Sequence, residues 1–163
     1  MAKSVNPIRP GLHSVTPHLT VSDSKKAIEF YKKAFNAEEH GLSAMPDGKV
    51  IHAEIKIGDS FVFMHDEFPE MGALGPAARG GASASFCISV VDVDKSFKQA
   101  LDAGCTVLMP LADQFWGDRY GSVVDPFGHV WELCTHMEDL TPEEMQERMN
   151  KPEFQQGCGA GKN

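Results

Sequence analysis

The run from Val50 to Ile57 places an imidazole and a carboxylate on one side of a strand. Ile51, Ala53, Ile55 and Ile57 alternate with Val50, His52, Glu54 and Lys56, and a strand sends successive side chains to opposite faces. The apolar set suits packing beneath a helix, leaving His52 and Glu54 to line the other face. Imidazole and carboxylate are the groups that move protons or grip a polar small molecule near neutral pH. The same alternation also describes an antiparallel sheet with one solvated face. A pocket lining and a solvated face therefore both stay open until the elements around this strand are placed.

Those elements repeat. Thr16 to Asp23 and Ser85 to Asp92 are strand-like runs, each ending in an aspartate suited to cap a helix. The counterparts lie 69 positions apart, Thr16 with Ser85 and Asp23 with Asp92. A helical pattern follows each, with Ala27, Ile28, Tyr31, Ala34 and Phe35 on one face of the first. Val93, Phe97, Ala100 and Leu101 form the matching face of the second. Three more strand-like runs follow each helix, near 38–45, 49–57 and 60–66 and near 105–111, 119–124 and 129–136. Pro46-Asp-Gly48, Gly58-Asp59 and Asp125-Pro-Phe-Gly128 punctuate them. The reading is an α+β chain of two βαβββ modules in tandem, their concave sheets enclosing a pocket. The modules span 11–68 and 84–137, joined by a Gly- and Ala-rich linker over 69–83. A short helix is expected within 138–151, with Thr141 as cap, Pro142 in the first turn and Glu144 closing a capping box. A flexible tail is expected over 152–163. The tail's Gly157-Cys-Gly-Ala-Gly-Lys162 lacks the spacing of a phosphate loop.

Composition narrows the classes of function. A formal charge of −8 disfavours nucleic acid and anionic membrane surfaces as partners. No apolar run is long enough to span a bilayer, and the first ten residues lack the apolar core of a secretory signal. Cys87, Cys105, Cys134 and Cys158 contain no CxxC pair and read as reduced thiols in a cytoplasmic protein.

The chain resembles the vicinal oxygen chelate superfamily, in its glyoxalase/bleomycin-resistance-like branch. Thr20-Val-Ser-Asp23 leading into Ala27-Ile-Glu-Phe-Tyr31, Val90-Val-Asp-Val-Asp94 and Asp125-Pro-Phe-Gly-His-Val-Trp-Glu132 carry the resemblance. So do His52 to Asp59, Asp113-Gln-Phe-Trp-Gly-Asp-Arg-Tyr-Gly121 and Asp139 to Glu144. The resemblance implies the glyoxalase/bleomycin resistance/dioxygenase fold, a small-molecule ligand and a homodimer. It also implies, in metal-dependent members, a divalent ion held by the first and last strand of each module. Those places fall on Thr16, Phe63, Ser85 and Glu132. Glu132 alone is a competent ligand among them, and an ion needs about three from the protein. No cofactor is therefore expected. A divalent metal stays open through a relocated set drawn from His18, His52, Glu54, Cys87 and Glu132, since His18 and Cys87 stand two residues beyond Thr16 and Ser85.

The expected ligand-binding residues are His18, His52, Glu54, Cys87, Trp116, Arg119 and Glu132. At the 69-residue offset Arg119 takes the place of Val50, on the concave side, where its planar fork suits a carboxylate or phosphate. An internal Arg–Glu pair is the other reading of Arg119. Trp116 offers a face for stacking, or closes the core between modules. Glu132, His18 and His52 are the candidate catalytic groups. Two functions follow: a metal-free binding protein, or a lyase or isomerase using His/Glu acid–base groups or a relocated metal on a small carbonyl or carboxylated substrate. A third reading is an assembly subunit with a vestigial pocket.

Overall fold

The computed structural model describes residues 6–155. The first module comprises β1 (His18–Val21), α1 (Ser24–Phe35), β2 (Glu38–Ala44), β3 (Val50–Ile57) and β4 (Ser60–Asp66). The second comprises β5 (Ser85–Ser89), α2 having preceded it in the linker (Pro76–Arg79), then α3 (Val93–Ala103), β6 (Thr106–Asp113), β7 (Asp118–Val124) and β8 (Val130–His136). Two four-stranded sheets result, in the orders β1-β4-β3-β2 and β5-β8-β7-β6. The expected pair of βαβββ modules is what forms.

The local chemistry recurs with the modules. Asp23 accepts a hydrogen bond from the Lys26 amide and Asp92 from the Lys95 amide, each at 3.0 Å, satisfying donors at a helix start. The last strand of each sheet also reaches its helix. Asp66 accepts from the Ser24 amide at 2.7 Å, and Thr135 Oγ1 accepts from the Val93 amide at 3.0 Å. β1 runs parallel to β4 with His18 opposite Phe63, and β5 runs parallel to β8 with Cys87 opposite Glu132.

The core lies between the helices and the sheets. Ala27, Ile28, Tyr31, Ala34 and Phe35 of α1 are buried against Ala53, Ile55 and Met64. α1 also packs beside α3, whose buried residues are Val93, Phe97 and Ala100. Leu101 is partly buried beside them. Trp131 of β8 packs against Tyr31 and Phe35 of α1, so an aromatic cluster crosses from one module to the other. At its centre is Asp125, 4% exposed. Its carboxylate accepts from Tyr31 Oη at 2.7 Å, Trp131 Nε1 at 2.8 Å and the amides of Phe127 and His129 at 2.8 and 2.9 Å.

Four placements differ from expectation. Val50 is 1% exposed and Ile51 49% exposed, because β3 carries an irregularity where its register against β2 shifts. Val50 therefore belongs to the helix side and Ile51 does not pack there. Arg119 also faces the helix side. The 69-residue offset holds for β8 but not for β7, since β3 and β4 turn over Gly58-Asp59 whereas β7 and β8 turn over residues 125–129. Glu54 pairs with Phe63 and Ser122 with Glu132, so β7 is displaced by one residue and its faces exchange. Third, the linker is not featureless: it holds a 3₁₀ turn, Pro69–Met71, and α2. Fourth, Pro152–Gln155, assigned above to the tail, forms α5. It follows α4 (Pro142–Met149), which carries the expected Thr141–Glu144 capping box. Cys158 and the Gly157–Lys162 run lie outside the described residues. Among the described residues no helix is long and apolar enough to cross a membrane.

Asp125→Ala would leave two buried donors, Tyr31 Oη and Trp131 Nε1, without an acceptor. The expected loss is about 3 kcal/mol, read as a fall in melting temperature of roughly 6–12 °C. Burial alone would raise the Asp125 pKa, but the hydrogen bonds from His129, Tyr31 and Trp131 outweigh it and hold it below the ordinary value. A depressed folded-state pKa stabilises at neutral pH and is lost as pH falls through it. Acid denaturation should accordingly be sharper in the parent protein than in Asp125→Asn; equal acid midpoint shifts would remove Asp125 from this role.

Candidate functional site

On the concave face of the first sheet, β1, β4 and β3 bring their polar side chains into rows. His18, Phe63 and Glu54 lie across one row and Thr20 and His65 across the next, with His52 two positions before Glu54 on the same strand face. The His18 ring is 4.9 Å from His65 and 6.0 Å from both His52 and Phe63, all edge-on. His52 Nε2 lies 3.0 Å from Glu54 Oε1. His65 Nδ1 donates to the Asp66 carbonyl at 2.7 Å, and its Nε2 lies 3.4 Å from Thr20 Oγ1. Burial, and then the neighbouring His65 and His52, lowers the His18 pKa, so this imidazole is held in its neutral form. Glu54 is pulled down to about 2, chiefly by hydrogen bonds from Arg9, with His52 adding to the effect. A carboxyl so acidic stays ionised at neutral pH and does not serve as a general acid.

The second sheet presents different groups at the same places. Cys87 stands where His18 does, Glu132 where Phe63 does, Ser122 for Glu54 and Tyr120 for His52. Ser85 Oγ donates to Glu132 Oε1 at 2.6 Å. The Cys87 and Cys134 sulfurs are 3.5 Å apart. The Cys87 thiol is accessible yet partly desolvated, and that desolvation, Cys134 and the charge of Glu132 push it up to about 12. Burial and Glu132 push Tyr120 up to about 12 as well. Ser85, Met109, Tyr120, Ser122 and Glu132 line a groove of about 490 Å³ with the end of the linker. Trp116 stands edge-on to Tyr120 at 5.6 Å and donates to Asp118 at 3.0 Å, on this same face. Its turn depends on Gly117 at φ +96°, where a Cβ would come within 2.4 Å of the Glu138 carbonyl.

A larger cavity, about 690 Å³, opens between the modules. Thr16, Pro17, Phe61 and Val62 of the first module face Ser85, Cys87, Ile88, Ser89 and Trp131 of the second across it. Its size and its mixed wall, apolar side chains with a few hydroxyls, the Cys87 thiol, His13 and Asp59, suit a small organic ligand.

The structure thus gathers His18, His52 and Glu54 on one sheet and Cys87, Trp116 and Glu132 on the other. Arg119 joins neither. It pairs through its fork with both oxygens of Asp94 at the start of α3, at 2.8 Å, and with Asp113 at 2.9 Å, so it braces the helix side. His65, Tyr120, Ser122 and Arg9 escaped the reading of the sequence. His65 was within reach of it, since it follows Phe63 by two positions on one strand face. Arg9 comes from outside the repeat and had no such signal.

The residues do not fit the divalent ion that the fold family implies. Of Thr16, Phe63, Ser85 and Glu132, only Glu132 is a carboxylate, and it is engaged by Ser85. Among the described residues no group of three or more His, Cys, Asp and Glu side chains is arranged to hold a metal.

The model of the Glyoxalase/Bleomycin resistance protein/Dioxygenase superfamily matches residues 11–133, and the chain belongs to that superfamily. An uncharacterised protein of Mycobacterium tuberculosis is 44% identical over 140 residues, 84% of this chain and 82% of that protein. Among solved structures, the At5g48480 gene product of Arabidopsis thaliana is similar at 26% identity with a TM-score of 0.61, covering 75% of this chain and 98% of that one. The fosfomycin resistance protein FosX of Listeria monocytogenes, solved with Mn(II) and sulfate, shares the fold at 20% identity and a TM-score of 0.58, over 85% of this chain and 98% of its own.

The thiol chemistry is open to a direct check. Cys87 is exposed but protonated at neutral pH, and the thiolate is the reactive form. Iodoacetamide should modify folded Cys87 much more slowly than a free cysteine at pH 7.5, with the rate climbing toward pH 11. Peptide mapping that found rapid labelling at pH 7.5 would contradict this environment.

Proposed function

We propose that the protein binds a small organic molecule in the cavity between its modules and does so without the divalent ion used by metal-dependent relatives. The cavity of about 690 Å³ carries this reading, because it is walled by both modules and includes Thr16 and Ser85, two of the family's metal positions. The wall there supplies hydroxyls and apolar surface together with His13, Asp59 and Cys87, which orient and desolvate a ligand but, among the described residues, are not grouped to hold a metal ion. Acid–base catalysis is the weaker reading within one chain, since His18 and His52 lie on one sheet and Glu132 on the other. A homodimer belongs to the proposal, as a second copy could cover the open concave faces. So does a cytoplasmic location, which suits the free thiols of Cys87, Cys105 and Cys134.

A thermal-shift screen of small carboxylated and aromatic compounds tests the reading. A binder should raise the melting temperature equally with and without a chelator. Ser89→Trp, which fills the cavity from an exposed position, should weaken that binder at least about tenfold, or roughly 1.4 kcal/mol. Stoichiometric metal by elemental analysis, with binding lost on chelation, would overturn the metal-free reading; binding unchanged in Ser89→Trp would move the ligand elsewhere.

A further inference from the structure

The Glu54 carboxylate sits on the concave face of the first sheet with its side chain 13% exposed. Phe63 is its cross-strand neighbour and His52 its hydrogen-bond partner. A carboxylate in so apolar a place needs a cation, because the desolvation of its charge is otherwise uncompensated. The cation it has is Arg9. The guanidinium donates through Nη1 to Oε1 at 2.8 Å and through Nη2 to Oε2 at 2.6 Å. Its carbon lies 5.5 Å from the Phe61 ring centre and 5.8 Å from that of Phe63. Two aromatic rings and a forked carboxylate form the arrangement that recognises a planar organic cation.

The segment carrying Arg9 is weakly held. Residues 6–11 are all exposed. Arg9 opens a turn in which Pro10 is followed by Gly11 at φ +86°, closed by the Leu12 amide donating to the Arg9 carbonyl at 3.0 Å. Among the described residues, the bond to Glu54, the two rings and the close approach of Gly11 to Phe61 are what hold the segment to the sheet. The tightest charge contact on this face is thus made by a side chain on an exposed arm, and an arm of this kind exchanges with solvent readily. Phe61 belongs both to this cage and to the wall of the inter-module cavity, so a cation seated here would lie at the cavity's edge.

We propose that Glu54, Phe61 and Phe63 form a binding subsite for a guanidinium or similar planar organic cation, and that Arg9 occupies it as an internal competitor which such a ligand displaces. The cage stands independently of the cavity reading, although a ligand spanning both would link them. Seating of Arg9 lowers apparent affinity by the fraction of time the cage is empty.

Methylguanidinium titrated into the full chain, followed by NMR of the Phe61 and Phe63 ring signals, tests the subsite. If Arg9 holds the cage about nine-tenths of the time, Arg9→Ala binds the probe roughly tenfold more tightly than the parent chain. Adding Glu54→Gln to Arg9→Ala abolishes that binding, with circular dichroism confirming the fold of both variants. Arg9→Gln, which keeps a polar side chain without the charge, should behave as Arg9→Ala does. Equal affinity in parent and Arg9→Ala overturns the proposal, as does binding that survives Glu54→Gln. Ser89→Trp in the Arg9→Ala background separates the two sites. Undiminished binding there supports the cage whatever becomes of the cavity, and loss of binding would assign the probe to the cavity instead.

Discussion

Asp125 joins the two modules and sets the register of the second. Its carboxylate is buried, and a buried charge survives only when donors replace the water it has lost. Two of those donors are the side chains of Tyr31 in α1 and Trp131 in β8, so the first module's helix and the second module's last strand share one acceptor. The other two are the amides of Phe127 and His129, which wrap the turn around the same carboxylate. That turn spans residues 125–129, where the matching turn of the first module is Gly58-Asp59. One group therefore ties α1 to β8 and holds the turn through which β7 is aligned with β8.

The alignment decides which side chains reach the concave face. A shift of one residue moves every side chain of a strand to its other side. Arg119 is carried outward to Asp94 and Asp113, while Tyr120 and Ser122 turn inward beside Glu132. Most of the fold was legible in the sequence because its signals are local. The aspartate caps, the helix faces and the turn residues each act within a few positions, and all recur at one offset. The face taken by β7 was not legible from that offset, since it depends on the length of a turn whose extra residues are stabilised by a tertiary hydrogen-bond hub. The Arg9–Glu54 pair was hidden for a different reason. Its partners are 45 residues apart and one of them lies outside the repeat.

The two modules agree where the backbone is held and differ where the sheets are bare. The helix starts are capped in the same way, and Asp66 and Thr135 make equivalent bonds to Ser24 and Val93. The concave faces share no such likeness. His18, His52, Phe63 and Glu54 on one sheet correspond to Cys87, Tyr120, Glu132 and Ser122 on the other. Caps, core and turn hub carry the fold, so the face residues can change without unfolding it, and the fold alone does not specify the chemistry.

The asymmetry also bears on how a ligand would be oriented. At neutral pH the first sheet offers an ionised carboxylate, neutral His18 and aromatic rings, while the second offers a serine-bound carboxylate beside a protonated thiol and phenol. Between them the cavity wall mixes apolar side chains with hydroxyls at Thr16 and Ser85 and with His13 and Asp59. A ligand there would meet hydrogen-bond donors at one end and a cation-seeking cage at the other. Such a gradient of chemistry orients a molecule through contacts made by neutral hydroxyls and fixed charges. The place on this sheet that demands a cation is Glu54, and it accepts one through a planar fork between two rings, a geometry that favours an organic cation over a bare ion.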